Sequence, residues 1–320
     1  MKRFAFAGVL AAGALMLSAC SGTGQGQGAA DAGKLDLTYA VITHGAPGDA
    51  FWDRVKSGAE RAGKDYGVKV EYSSDPDPAK QSQLIDGAVA DKVDGIVVSM
   101  ANPDGLESSV KAAVAAGVPV VTINSGLEKF KQFGAITHVG QSESIAGQAV
   151  GERLNTEGVK NVLCVIQEAG NVGLETRCAA AAKAFHGKMT NLQVDGTDDN
   201  AVESTITSKL QSDKSIDGVL TLGGQYAIDA VSAVDQSSSS AKVATFDLSE
   251  DVIKDIQSGK ILFAVDQQPF VQGYVGVTAL YLKSINGNDL GGGQPVYSGP
   301  AFITKDNAGQ VAKFAAQGTR

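Results

Sequence analysis

The chain has 320 residues, a net charge of −8 at pH 7 and a hydrophobic fraction of 43%. A net negative chain lacks the basic surface that nucleic-acid binding requires, so we expect no nucleic-acid partner. The length is about twice that of a usual domain and the aliphatic content is ample for two cores, which predicts two lobes.

The first 20 residues have the pattern of a secretory signal peptide. Lys2 and Arg3 precede an apolar run over 4–17, which is shorter than the roughly 20 residues of a membrane-spanning helix. The Leu-Ser-Ala-Cys sequence ending at Cys20 resembles the lipobox of bacterial lipoproteins, which implies lipidation of Cys20 and an anchor outside the cytoplasm. We expect the polar segment 21–34 to be a flexible tether. An ordinary secretory signal with a chance cysteine is the alternative.

The other two cysteines are Cys164 and Cys178. In an oxidising compartment such a pair favours a disulfide. Two buried thiols are the alternative.

From Leu35 onward, short β-branched runs alternate with amphipathic segments of helical length. This pattern predicts strands over 35–43, 68–72, 95–99 and 118–124, and helices over 51–66, 80–90 and 105–116. The strands are continuous apolar runs, as expected when helices cover both faces of a parallel sheet.

A second series begins near Ile136. It predicts strands over 161–166, 191–194, 218–222, 243–246 and 261–265, followed by a helix over 271–286 and a glycine-rich turn at 291–293. We therefore predict an α/β protein of two similar Rossmann-like lobes, each a parallel sheet flanked by helices. The predicted first lobe is 35–138 plus 269–294, and the second is 139–268 plus 295–320.

No enzyme signature is present in the sequence. His44, His138 and His186 are far apart, with no spacing of ligands typical of a zinc site. The segment 58–64 has the spacing of a phosphate-binding loop, but it continues with Asp65 and lies inside a predicted helix. We predict no catalytic residue, no metal site, no cofactor and no enzyme activity.

Polar and aromatic residues follow the ends of several predicted strands. In open α/β sheets, ligands bind beyond the carboxyl ends of the strands. The loop 44–52 follows the first strand and contains the only tryptophan of the chain, whereas Asn124, Asp247 and Gln267 follow later strands. The sequence thus predicts a ligand site at these strand ends.

From about Leu35 to its end, the chain resembles the ribose-type periplasmic binding proteins, which are sugar-binding proteins of ABC importers with the two-lobed type I fold. The markers are Gly-Asp-Ala-Phe-Trp at 48–52, Val-Pro-Val-Val-Thr-Ile-Asn at 118–124, Ala-Thr-Phe-Asp at 244–247 and Asp-Gln-Gln-Pro at 266–269. The resemblance implies a two-lobed protein with a three-segment hinge near 138–140, 267–270 and 294–299.

The resemblance also implies a set of ligand-binding residues from both lobes. They are Asp49, Phe51, Trp52, Asn124, Arg177, Asp199, Asp247 and Gln267. Carboxylates and amides bind hydroxyl groups, arginine donates in a planar fork, and aromatic rings cover the C–H faces of sugars.

Each of these residues has a purely structural alternative. Phe51 and Trp52 could be core residues, Asp49 an N-cap, Arg177 a solvated helix residue and Asp247 a turn residue.

Three departures from the family pattern affect the expected ligand. Asn-Ser at 124–125 stands where the family often has Asp-Arg, Gly-Gly at 223–224 stands where it has Asn-Asp, and Asp199 lies near a position that is commonly aromatic. We therefore expect a pentose other than ribose, a hexose or a linear polyol.

The resemblance implies a monomeric lipoprotein that captures a sugar or sugar alcohol by hinge closure and delivers it to an ABC permease. A sensory receptor with the same fold is the alternative function. An amino acid held through its carboxylate by Arg177 is the alternative ligand.

Overall fold

The structure, a computed structural model, describes residues 36–320. The predicted signal peptide, the lipidation site at Cys20 and the predicted tether lie outside the described residues. Residues 36–320 contain two six-stranded sheets, and each sheet is the centre of one lobe. In this part of the chain, no helix has both the length and the apolar character needed to cross a membrane.

The first lobe is built on a parallel sheet with the strand order β11-β5-β4-β3-β1-β2. Its strands are β1 (Thr38–Thr43), β2 (Lys69–Ser74), β3 (Gly95–Ser99), β4 (Val120–Ile123), β5 (Thr137–Gly140) and β11 (Val296–Tyr297). Its helices are α1 (Ala50–Tyr66), α2 (Pro78–Ala90), α3 (Pro103–Ala115), α4 (Phe130–Phe133) and α10 (Pro269–Asn286), with a 3₁₀ helix at Leu290–Gly293.

The second lobe repeats this plan with the strand order β12-β10-β9-β8-β6-β7. Its strands are β6 (Asn161–Ile166), β7 (Lys188–Gln193), β8 (Gly218–Thr221), β9 (Lys242–Phe246), β10 (Ile261–Asp266) and β12 (Ala301–Thr304), the last of which is antiparallel to β10. Its helices are α5 (Glu143–Glu157), α6 (Val172–Ala184), α7 (Asp199–Ser212), α8 (Gly224–Gln236), α9 (Glu250–Ser258) and α11 (Ala308–Ala316). The predicted two-lobed α/β architecture is confirmed.

Each sheet has an apolar cluster on both faces, which explains why the central strands are continuous apolar runs. The edge strands β2 and β7 are exceptions, because neither contains a buried residue. The strand predicted over 191–194 begins three residues earlier, at Lys188. β7 is an edge strand with polar residues such as Lys188 and Asn191, so it has no apolar run that would mark its start.

The chain passes between the two sheets three times, after β5, after β10 and after β11. The lobe boundaries predicted at 138 and 294 are too early. Val139 and Gly140 pair with Val296 and Tyr297 in the first sheet, so the backbone ladder extends the first lobe to 140 and 297.

A disulfide joins Cys164 on β6 to Cys178 on α6, and both residues are fully buried. The predicted pairing is present. It fixes α6 beside the strand that it follows, which also limits where the neighbouring Arg177 can lie.

Glycines allow two pairs of helices to approach closely, one pair in each lobe. A Cβ atom on Gly273 of α10 would lie 2.0 Å from the carbonyl oxygen of Val55 on α1. In the second lobe, a Cβ atom on Gly147 of α5 would lie 2.4 Å from the carbonyl oxygen of Arg177 on α6. Because backbone blocks these positions, a side chain can be accepted only if the helices separate.

We expect Gly273→Ala to lower the free energy of unfolding by about 1–3 kcal/mol, because the methyl group forces α1 and α10 apart. Gly87→Ala is the matched control, since Gly87 lies in α2 and an added methyl group there would meet no neighbouring atom. This control should raise stability by about 0.5–1 kcal/mol through helix propensity. Urea denaturation measures the free energy of unfolding of both variants. A change of the same sign in the two variants would contradict the packing argument.

Candidate functional site

A cavity of about 330 Å³ lies between the lobes, at the carboxyl ends of strands from both sheets. All eight residues predicted for the ligand site line it: Asp49, Phe51, Trp52, Asn124, Arg177, Asp199, Asp247 and Gln267. The parallel strands bring them together, because their carboxyl ends meet at one edge of each sheet.

The loop after β1 supplies the aromatic wall of the cavity. The ring of Trp52 packs edge-on against Phe51 at 4.9 Å between centroids, and against His44 at 4.5 Å. Trp52 is only 7% exposed and also belongs to the core of the first lobe, so the structural alternative and the cavity position both hold for this residue. Asp49 likewise has two roles. It lines the cavity, and it caps α1 by accepting a hydrogen bond from the Phe51 backbone N–H at 2.8 Å.

Two polar residues adopt a strained backbone conformation at equivalent strand ends of the two lobes. Asn124 follows β4 with φ of 60°, and Asp247 follows β9 with φ of 67°. Left-handed backbone costs energy for residues other than glycine, although Asn and Asp tolerate it best, and such strain concentrates at functional sites. The strained backbone directs both side chains into the cavity wall.

Gln267 connects these two strand ends through its side-chain amide. Its Nε2 donates to Oδ1 of Asp247 at 2.8 Å, and its Oε1 accepts from Nδ2 of Asn124 at 3.3 Å and from Arg177 Nη2 at 3.1 Å. Gln267 follows β10, where the chain crosses between lobes, so this network joins the first lobe, the crossing and the second lobe.

Arg177 is paired with a residue that sequence reasoning missed, Glu143 at the start of α5. Nη2 of Arg177 donates to Oε1 at 2.9 Å, and Nε donates to Oε2 of the same carboxylate. The planar fork is therefore occupied by Glu143, and Arg177 is 3% exposed rather than solvated. Its remaining contacts are Gln267, a 3.4 Å bond to the carbonyl oxygen of Leu222, and the face of Phe246 at 4.7 Å.

Burial, opposed in part by the charge of Arg177 and the hydrogen bond from Gln267, raises the pKa of Asp247 from 3.8 to about 7. Burial likewise raises the pKa of Asp49 to about 6, although the hydrogen bond from the Phe51 backbone N–H partly offsets this rise. Both carboxyl groups therefore change charge close to neutral pH.

We expect Asp247→Asn to stabilise the ligand-free protein, relative to wild type, by about 2 kcal/mol more near pH 8 than near pH 5. The folded wild type keeps the Asp247 proton up to about pH 7, whereas the unfolded chain releases it near 3.8, so this group destabilises the fold as the pH rises between those values. Asparagine has no such proton. Urea unfolding at both pH values tests the difference, with Asp235→Asn on the exposed face of α8 as control. An equal effect of Asp247→Asn at both pH values would contradict the prediction.

The start of α6 contacts the first lobe directly. The backbone N–H of Val172 donates to the carbonyl oxygen of Ala101 at 3.0 Å, and Nδ2 of Asn171 lies 3.5 Å from Nε2 of His44. A Cβ atom on Gly173 would lie 2.9 Å from Oγ of Ser125. This contact, which we call the α6 latch (Asn171, Val172 and Gly173), holds the two lobes together beside the cavity.

Other residues of the cavity wall were not among the eight predicted ligand-binding residues. They include His44, Ser125, Gln167, Glu168, Asn171, Tyr226 and Asp229. Asn171 had a local signal, because Asn before a helix start is a typical N-cap, and it accepts from the Gly173 N–H at 3.0 Å. Glu143 and Asp229 lie on helices and had none. Within residues 36–320, no group of three potential ligands suits a metal ion.

The chain is similar to known proteins over most of its length. A sequence profile described as a periplasmic binding protein domain matches residues 39–288. The crystal structure of a carbohydrate transporter from Acidothermus cellulolyticus, in complex with myo-inositol, is 47% identical and superimposes with a TM-score of 0.88, covering 89% of this chain and all of that one.

Two curated relatives are more distant in sequence. The fructose import binding protein of Bifidobacterium longum is 23% identical over 282 residues, which cover 83% of this chain and 84% of that protein. The xylitol-binding protein of Mycolicibacterium smegmatis is 24% identical over 314 residues, which cover 93% and 85%.

Proposed function

Because the chain belongs to the periplasmic binding protein family, we propose that it captures a sugar or sugar alcohol between its lobes and delivers it to an ABC importer. The observation that carries the proposal is the cavity itself, whose wall combines the buried carboxyl group of Asp247 and buried amides such as Asn124 and Gln267 with the rings of Phe51 and Trp52. Such a wall suits a ligand that has many hydroxyl groups and apolar C–H faces.

We propose a polyol or monosaccharide as the ligand class. Support comes from the 47% identical structure with bound myo-inositol, and from curated relatives named for fructose and xylitol. A cavity of about 330 Å³ is compatible with a single ring. The sequence alone predicts a pentose other than ribose, a hexose or a linear polyol, so a cyclic polyol is a further candidate.

An amino acid ligand fits the cavity poorly. The alternative depended on Arg177 binding a free carboxylate with its planar fork. That fork is already filled by Glu143, so Arg177 has no free pair of donors for a ligand carboxylate.

A thermal-shift screen tests the ligand class. Myo-inositol, ribose, xylitol, fructose and glucose are compared at saturating concentration. A ligand that binds only the folded state should raise Tm by about 5 °C or more at a hundred times its Kd. No shift with any polyol or monosaccharide would refute the proposal, and turnover of a bound sugar would contradict a pure binding role.

We propose that closure of the lobes depends on the α6 latch. Gly173→Val should weaken ligand binding about tenfold, because the larger side chain collides with Ser125 and holds the lobes apart. Gly309→Val is the matched control, since Gly309 is also the second residue of its helix, α11, but has open space around it. Titration calorimetry measures both Kd values. An unchanged Kd in Gly173→Val would show that the latch does not limit binding.

We propose that the protein acts outside the cytoplasm as a monomer anchored through a lipid on Cys20. The location follows from the family, and the anchor rests on the lipobox-like sequence before Cys20. Mass spectrometry of the amino-terminal peptide from the mature protein should show a diacylated Cys20, and Cys20→Ala should release the protein from the membrane. Light scattering on the purified protein tests the monomer.

A further inference from the structure

The cavity has two sides that differ in charge balance. On one side, the positive charge of Arg177 is matched by the bidentate carboxylate of Glu143. Arg177 therefore contributes little net positive charge to the cavity. The next cation of the wall, Arg54, donates to the backbone carbonyl oxygens of Arg320 at 3.0 Å and Ala50 at 2.7 Å, and makes no ion pair in the described part of the chain.

The other side is centred on Tyr226 and carries an excess of acid. Tyr226 lines the cavity together with Asp49, Glu168, Asp199 and Asp229. Burial raises the pKa of Tyr226, and the negative charges of these four residues raise it further. Among residues 36–320, none of the four pairs with a lysine or arginine. The nearest basic group is His44, 3.9 Å from Glu168, and burial lowers the pKa of His44 so that it is neutral at pH 7. We call this wall the Tyr226 side.

Donors of the protein serve only part of the Tyr226 side: Nδ2 of Asn171 donates to Glu168 at 2.6 Å, and the Phe51 N–H donates to Asp49 at 2.8 Å. Asp229 and Gln167 both line the cavity, and each has a buried oxygen, Oδ2 and Oε1 respectively, with no hydrogen-bond partner in the described structure. Asp247, which is 8% exposed, has one oxygen bonded to Gln267, and its other oxygen has no hydrogen-bond partner in the described part of the chain. Buried acceptors without donors are costly, so the missing group is one that donates.

We propose that the cavity binds a polyol in which a protonated amine replaces one hydroxyl group, with the ammonium against the Tyr226 side. An ammonium brings three donors, no acceptor and a positive charge, whereas a hydroxyl brings one donor and lone pairs that face the carboxylates. This inference rests on the proposed function and narrows its ligand from neutral polyols to amine-bearing ones.

The test compares two ligands that differ in one group, myo-inositol and an inositol with one hydroxyl replaced by an amine. Titration calorimetry at neutral pH should give an amine Kd about tenfold lower than that of the parent polyol, because charge-assisted hydrogen bonds exceed neutral ones. The difference should shrink at high salt, which screens the ammonium but not the hydroxyl.

Substitutions of single carboxylates test whether the ammonium binds at the Tyr226 side. Asp229→Asn should reduce the ratio of amine affinity to parent affinity about tenfold, whereas Asp235→Asn, on the same helix but outside the cavity, should leave the ratio as in wild type. Asp199→Asn should also reduce the ratio of amine affinity to parent affinity. Asp199 is an exposed residue at a helix start on the Tyr226 side, so this substitution does not disturb a buried position.

An amine that binds no better than its parent overturns this proposal and leaves polyol capture standing. A ratio unchanged in both Asp229→Asn and Asp199→Asn also overturns it. If a monosaccharide of the screen binds while both inositols fail, the amine proposal falls and the proposed function remains. If no polyol or sugar binds, both fall.

Discussion

Replacing Glu143 with alanine is expected to lower the free energy of unfolding by about 3–5 kcal/mol, because it leaves the charge of Arg177 buried without a counter-ion. Arg177 is 3% exposed and Glu143 is 7% exposed, so little solvent is available to screen the unpaired charge. The substitution also removes the acceptor for Nε2 of Gln141 at 3.0 Å, which ties the pair to the crossing after β5.

Urea denaturation of the ligand-free protein measures this loss. Glu250→Ala is the control, because Glu250 and Lys254 form an ion pair with side chains 59% and 60% exposed. An exposed pair of this kind should contribute less than about 1 kcal/mol. Glu143→Gln should fall between the two, since the amide keeps one acceptor for Arg177. A loss for Glu143→Ala as small as that of the control would show that Arg177 finds another partner.

Replacing Asp247 with alanine is expected to weaken binding of the ligand found by the thermal-shift screen about a hundredfold at pH 8, where the Asp247 carboxyl group is ionised. A hydrogen bond to a charged group contributes about 1.5–3 kcal/mol, and each 1.4 kcal/mol is a factor of ten in Kd. The loss has a second cause, because the substitution removes the acceptor for Nε2 of Gln267 and frees the amide that connects the two lobes.

Titration calorimetry gives the Kd, and circular dichroism checks that the variant folds. Asp251→Ala is the control, since Asp251 also lines the cavity but lies at its exposed rim with a side chain 69% accessible and paired with Lys254. We expect a change of less than about fivefold there, because rim charges are screened by solvent. A Kd for Asp247→Ala within that range would place the ligand away from the second lobe.

The sequence already contained much of the fold and the position of the cavity. Alternating apolar runs and amphipathic segments predicted two parallel sheets, and short polar residues after β4, β9 and β10 predicted where a ligand would lie. These predictions succeeded because strand ends and helix starts are local features. In a parallel sheet, local position also fixes which strand ends are neighbours.

Other features depended on the tertiary structure. The edge strand β7 and the short strand β11 have no apolar run, so neither their bounds nor the true ends of the first lobe could be read from the sequence. The ligand-binding role of the eight predicted residues stays a prediction, although the structure brings all of them to one cavity.

The sequence by itself determined which residue types stand at the strand ends, and therefore that a polar and aromatic cavity forms between two similar lobes. Only the tertiary structure decided their charge balance. Glu143 lies 34 residues from Arg177 along the chain, and Asp229 faces the cavity from a helix whose orientation is set by packing. Charge balance depends on distances between groups that are remote in sequence, and those distances exist only once the two lobes have folded around the cavity.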